Sequence, residues 1–312
     1  MANRWWIYQQ QQFPLLRNSL LAGGLSLASV SHSVLLRARA LEELPIDPIL
    51  WIGTILIAFI GTLLFFLQLQ IIQEFQGTDK KGRYTLSRPV AEGLVSLKEL
   101  GILGICAGIV QLGLSLSLNI SLLLPLIVLW GFITLKHYHF FAELWLDAHP
   151  FVKTIAHAAA VPIASFYATA CDWISVQIVP PPGLIWFLLV GWLSWLAIAI
   201  ARNLHPSSAQ SNATIPLRWS PQIAMRAWLG IIWLLTLTLF LSSMYVQFVF
   251  IMMLMLVALL AGSIYLAWRF VIRPAPQWGM RLEAIAQLWL VLAYLGIGPL
   301  ALLAMLSPFS SQ

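Results

Sequence analysis

The chain has 312 residues, of which 60% are hydrophobic and 9% charged, with fifteen Trp and a formal net charge of +6. A soluble domain carries about a quarter charged residues, so an ordinary soluble enzyme is excluded, and the basic balance reads as membrane orientation rather than nucleic-acid binding. Cys106 and Cys171 stand alone, giving neither a disulfide framework nor a CxxC metal pattern.

Apolar runs long enough to cross a bilayer recur from end to end. In chain order they predict nine helices, over about 15–36, 48–72, 97–117, 119–136, 152–171, 183–202, 222–243, 246–270 and 283–306. The N-terminus, MANRWWIYQQQQFPLLRNSL, has no compact apolar core before a small-residue site and reads as no removable signal. Pro150, Pro180–Pro182 and Pro274–Pro276 mark helix ends. The expected architecture is all-α and integral to the membrane, a single polytopic domain over 1–312. Lys and Arg are retained on the cytoplasmic side of short loops. Placing the N-terminus inside puts fifteen of the seventeen basic residues there, with Arg37 and Arg39 outside. Nine spans then put the C-terminus outside, and the loops at about 73–96 and 203–221 share the cytoplasmic face as a cap over a presumed cavity.

Polar chemistry is concentrated in the first of those loops, QEFQGTDKKGRYTLSRPVAEGLVSLKEL. Basic segments next to a span are usually solvated. The sharper reading is an anion or diphosphate site with Lys80, Lys81, Arg83 and Arg88 as donors.

The run from Leu67 to Leu100, LQLQIIQEFQGTDKKGRYTLSRPVAEGLVSLKEL, resembles the second helix and following loop of the UbiA superfamily of intramembrane prenyltransferases, and in particular a bacterial branch reading roughly LRIxDEFKDxExDxxYxPxRPVPRGLVSLxEL. RPVAEGLVS, Arg88 to Ser96, is its most specific piece. WLDAHPFVKTIAHAAAVPIASFYATACDW, Trp145 to Trp173, and GLIWFLLVGWLSWLAIAIARN, Gly183 to Asn203, are similar to later parts of that branch, with His157 matching a family His in the cavity. The resemblance implies nine helices with N-terminus in and C-terminus out, in a bacterial inner or internal membrane. It also implies two carboxylate clusters that hold Mg2+ against an isoprenyl diphosphate, so that the leaving group is neutralised and an aromatic or lipid acceptor attacks.

Most of those carboxylates are missing. In the first motif the family's Asp positions fall on Gln73, Gly77 and Lys81, leaving Glu74 and Asp79 as candidate metal ligands. In the second, a family Glu falls on Ala199, Arg202 survives as an anion donor, and His205–Pro216 carries no acid. Two other family carboxylates fall on His139 and Ser165. A cation in an Asp position repels Mg2+. Two readings stay open: a UbiA-like membrane protein that binds an isoprenoid, quinone or pigment tail, alone or in a membrane protein complex, with Mg-diphosphate catalysis lost or much reduced; and an active divergent prenyltransferase.

Outside the resemblance, HYHFFAELWLDAH, His137 to His149, is expected as a short interfacial helix, with a metal site from His139, Glu143 and Asp147 as the sharper alternative. Asp172 reads as an interfacial cap. Gln111, Gln247 and the Gly104/Gly108 pair read as contacts between helices.

Overall fold

The computed structural model describes residues 4–41, 48–76, 90, 92–176, 179–204, 221–273 and 275–306. Among them, nine helices are long and apolar enough to cross a membrane, spanning Leu15–Ala40, Ile49–Gln76, Leu97–Leu118, Ile120–His137, Pro150–Val176, Leu184–Arg202, Gln222–Tyr245, Val249–Ile272 and Gln277–Leu306. Helices satisfy their own backbone hydrogen bonds, which is what hydrocarbon demands. Every predicted span is present. Four spans lengthen by a turn or more: the first continues to Ala40, the second to Gln76, the fifth covers Pro150–Val176, and the ninth begins near Pro276. Polar residues at these ends conceal the extra turns from an apolar-run count.

The described residues group into two compact units. The first comprises α1 (Arg4–Gln12), α2 (Leu15–Leu41) as far as Val30, α3 (Pro48–Gln76), α4 (Leu97–Leu118), α5 (Leu123–His137) and the second half of α8 (Ala160–Val176). Here α3 packs on both α4 and α5. Two isolated helices gain little from apolar contact in lipid, so close backbone approach and interhelical hydrogen bonds carry the packing. Gln111 Nε2 donates to the Gly61 carbonyl at 3.0 Å, Trp130 Nε1 donates to Gln111 Oε1 at 2.9 Å, and the Ser115 hydroxyl lies 3.0 Å from the Tyr167 hydroxyl. Gly61 has to be glycine: a Cβ there would stand 2.5 Å from the Tyr167 ring. Gln111 and the Gly104/Gly108 pair act as expected, the latter against Ile71, Gln68 and Trp130.

The second unit comprises the end of α2 from Ser31, α6 (Glu143–Ala148), α7 (Pro150–Ala158), the start of α8, α9 (Leu184–Asn203), α10 (Pro221–Tyr245), α11 (Val249–Ile272), α12 (Pro276–Leu295) and α13 (Ala301–Leu306). Helix α9 packs on α7, α10 and α12. Trp228 donates to the Ala197 carbonyl at 3.1 Å, and Trp289 to the Ser263 hydroxyl at 2.9 Å. A π-helical turn at Gly296–Leu300 joins α12 to α13 around Pro299. Its Ile297 carbonyl lies 2.7 Å from His32 Nδ1, and His32 stacks on Phe187, which in turn stacks on Tyr294. Gln247 is no helix-to-helix contact: it is exposed, with φ of 55°, in the turn joining α10 to α11.

Candidate functional site

The predicted donors divide between residues that are described and residues that are not. Gly77, Asp79, Lys80, Lys81, Arg83 and Arg88 lie outside the described residues, as do most of the loops at 73–96 and 203–221. Gln73, Glu74, His157, Ala199 and Arg202 are described.

Helix α3 continues past the expected start of the first loop and carries Gln73 and Glu74 as helical residues. A step of about 100° around the helix separates neighbours, so the two point differently. Gln73 is exposed, whereas Glu74 is 4% exposed. The helix turns Glu74 toward Tyr8 of α1, which sits in an apolar cluster with Ile71, Val95 and Leu100. Burial pushes the Tyr8 phenol well above its ordinary range, and the charge of Glu74 raises it further. Glu74 is therefore a buried carboxylate beside a neutral phenol.

The part of RPVAEGLVS that is described starts a helix. Gly93 takes φ of +71°, a left-handed conformation that glycine enters without steric cost, and its N–H donates to the Val90 carbonyl at 3.1 Å. Ser96 caps α4: its hydroxyl accepts from the Glu99 N–H at 3.2 Å, while the Glu99 carboxylate accepts from the Ser96 N–H at 2.9 Å. Arg4 pairs with the same carboxylate at 2.7 Å. The Gly and Ser of the motif thus position the chain entering α4.

In the second unit, Arg202 is in the last turn of α9, and its Nε donates to Glu283 Oε1 of α12 at 2.8 Å. Gln287 donates to the same oxygen at 3.1 Å, and the guanidinium lies 6.0 Å from the Trp195 ring. Glu283 is absent from the residues singled out by sequence. The 81 positions between it and Arg202 leave no spacing signal. Ala199 is one turn before Arg202 and half-buried. His157 is half-buried near the end of α7.

The expected interfacial helix over 137–149 is replaced by a broken path. His139, Phe140 and Phe141 take φ of 49°, 56° and 55°, Ala142 follows out of helix, and α6 covers only Glu143–Ala148. The regular spacing that would align His139, Glu143 and Asp147 is lost, and Asp147 accepts from Lys153 at 2.7 Å. Among the described residues no group of three His, Cys, Asp or Glu is placed to hold a metal ion. Asp172 is 6% exposed.

Wholly within the first unit is a groove of about 520 Å3 where α3, α4 and α5 meet. Gln68, Phe75, Gly104, Gly108, Trp130 and His137 line it with isoleucines and two other polar side chains, Thr134 and Tyr138. Among the described residues, its wall contains no Lys, Arg, Asp or Glu. The groove suits an apolar ligand.

No family model matches the sequence, and no curated protein matches it. In fold, the chain is similar to a solved structure of digeranylgeranylglyceryl phosphate synthase, with TM-score 0.60 over 94% of this chain and 98% of that one, at 14% identity. The likeness is one of fold: the chain shares the helical architecture of that structure.

Proposed function

We propose that this protein binds an isoprenoid lipid, or the isoprenoid tail of a quinone or pigment, and that its Mg-dependent diphosphate chemistry is lost or much reduced. The carrying observation is a fold similar to that of a membrane prenyltransferase in which Arg202, the one described member of the expected cation set, is engaged by Glu283; the sequence resemblance adds Ala199 at a family carboxylate position. Ionising an allylic diphosphate requires positive charge on the leaving group, normally delivered by metal ions in carboxylate clusters. The described residues offer little for that role: Glu74 is buried, Gln73 is neutral, and Arg202 already carries a counter-ion. An apolar groove with no charged side chain among its described walls supports retention of the lipid-binding half of the function. The cytoplasmic placement of the loops at 73–96 and 203–221 belongs to the same proposal.

The test has two measurements on detergent-purified protein. Lipid extraction with mass spectrometry should recover an isoprenoid compound, and incubation with radiolabelled prenyl diphosphates and aromatic or lipid acceptors should give no Mg2+-dependent transfer. Brisk transfer would overturn the loss of catalysis. A second reading, an active prenyltransferase, is favoured by Glu283, a carboxylate of α12 that lies beside Arg202 and that no spacing argument revealed.

A further inference from the structure

We infer that the groove where α3, α4 and α5 meet is a site for a single-chain lipid alcohol of the isoprenoid class, whose hydroxyl donates to Gln68 Oε1. This rests on the isoprenoid-binding reading and adds the chemistry of the head group.

The depth of the site follows from α3. The helix has 29 residues, about 43 Å, against a hydrocarbon thickness of roughly 30 Å. Its first twenty residues, Pro48 to Leu67, contain no charged residue and no Gln, while Gln68, Gln70, Gln73, Glu74 and Gln76 follow. Gln68 therefore marks the edge of the hydrocarbon. The three spans alternate in direction, so the C-terminal end of α3, the N-terminal end of α4 and the C-terminal end of α5 lie together, and Gln76 Nε2 joins them by donating to the Lys136 and His137 carbonyls. A groove at this level receives an amphipathic molecule with its polar atom near Gln68 and its chain against hydrocarbon.

The chemistry of the head comes from Gln68 itself. The side chain is 8% exposed and lines the groove. Its Nε2 donates to the Gly104 carbonyl at 3.1 Å, which assigns the remaining atom as the carbonyl oxygen, and that oxygen is buried without a partner among the described residues. An unmet buried acceptor calls for a donor. Among the described residues the walls hold no cation to compensate a phosphate or diphosphate, whereas a hydroxyl brings a donor and no charge. One acceptor and one narrow groove specify one hydroxyl and one chain. Gly101, Gly104 and Gly108 recur on one face of α4 and leave bare backbone for the chain to lie against, with Trp130 held on the other side by Gln111.

Equilibrium binding to the full chain in lipid nanodiscs tests this with a linear isoprenoid alcohol and its methyl ether, which differ only in the hydroxyl proton. The alcohol should bind about tenfold more tightly, the ratio expected when a buried acceptor regains a donor. Gln68→Leu should make the two affinities equal, and Gly104→Leu should abolish binding of both by filling the groove. The comparison in the unmodified protein stands even if a variant fails to fold. Equal binding of alcohol and ether, or displacement of the alcohol by equimolar diacylglycerol, would overturn the inference while leaving the isoprenoid reading in place. Failure of both prenyl compounds to bind would end both.

Discussion

At the scale of single residues, charge placement decides what the site can do. The sequence singles out Arg202 as a candidate anion donor but not its carboxylate partner on α12, which lies 81 positions further along the chain. The pair is partly exposed, so it contributes little to stability, on the order of 1 kcal/mol or less. Its effect on binding should be larger: with Glu283→Gln the guanidinium loses its counter-ion, and affinity for inorganic pyrophosphate, measured by calorimetry, should rise several-fold. Arg202→Met in the same background should remove the gain. Tyr8 makes a second case. Its hydroxyl is buried without a partner among the described residues, so Tyr8→Phe should leave the melting temperature at neutral pH unchanged or raised. The sign with pH is also fixed. A phenol whose folded pKa is raised contributes stability that is fully present below its unfolded value of about 10 and lost as pH rises beyond it. Thermal melts of the native protein should fall above about pH 10, and Tyr8→Phe should flatten that part of the curve.

At the scale of elements, long apolar runs gave away the helices because a span must hydrogen-bond internally and must be long enough to cross. Breaks were less visible. Nothing in HYHFF announces three successive left-handed residues, since none is glycine, and the path from α5 to α6 is set by tertiary contacts such as Tyr138 stacked on Phe141 at 5.4 Å. The motif RPVAEGLVS resembles a catalytic signature, yet Gly93 and Ser96 have local duties in the turn and cap. Interhelical packing was legible only in part: Gly104 and Gly108 form a recognisable pair, whereas Gly61 has no sequence partner and is fixed by Tyr167. This gives a contrast between two glycines. Gly61→Ala places a methyl 2.5 Å from the Tyr167 ring and should cost about 1–3 kcal/mol, while Gly113→Ala meets nothing within 4 Å and should be neutral or stabilising by up to about 1 kcal/mol. Melting of the two variants in detergent should separate them clearly.

For the whole molecule, topology joins the sequence to the functional proposal, because anion chemistry at both polar loops requires them on one side of the membrane. The charge bias argues for this: fifteen basic residues fall on one side of nine alternating spans and two on the other. One of the exceptions has a structural duty. Arg39 donates to the Met244 and Tyr245 carbonyls at 2.6 and 2.8 Å, closing the C-terminal end of α10, where a cation also meets the negative end of the helix dipole. Arg39 thus does not argue against the inside-positive assignment. An odd number of spans puts the termini on opposite faces. Single cysteines at Thr78 and Ser311, introduced in a Cys106→Ser background, should therefore react with an impermeant maleimide from opposite sides of sealed vesicles, and one at Ser208 should share the side of Thr78. Cys171 is fully buried and can stay in place. Labelling of Thr78 and Ser208 from opposite sides would separate the two loops and leave no common face for an isoprenoid head group or a diphosphate to approach.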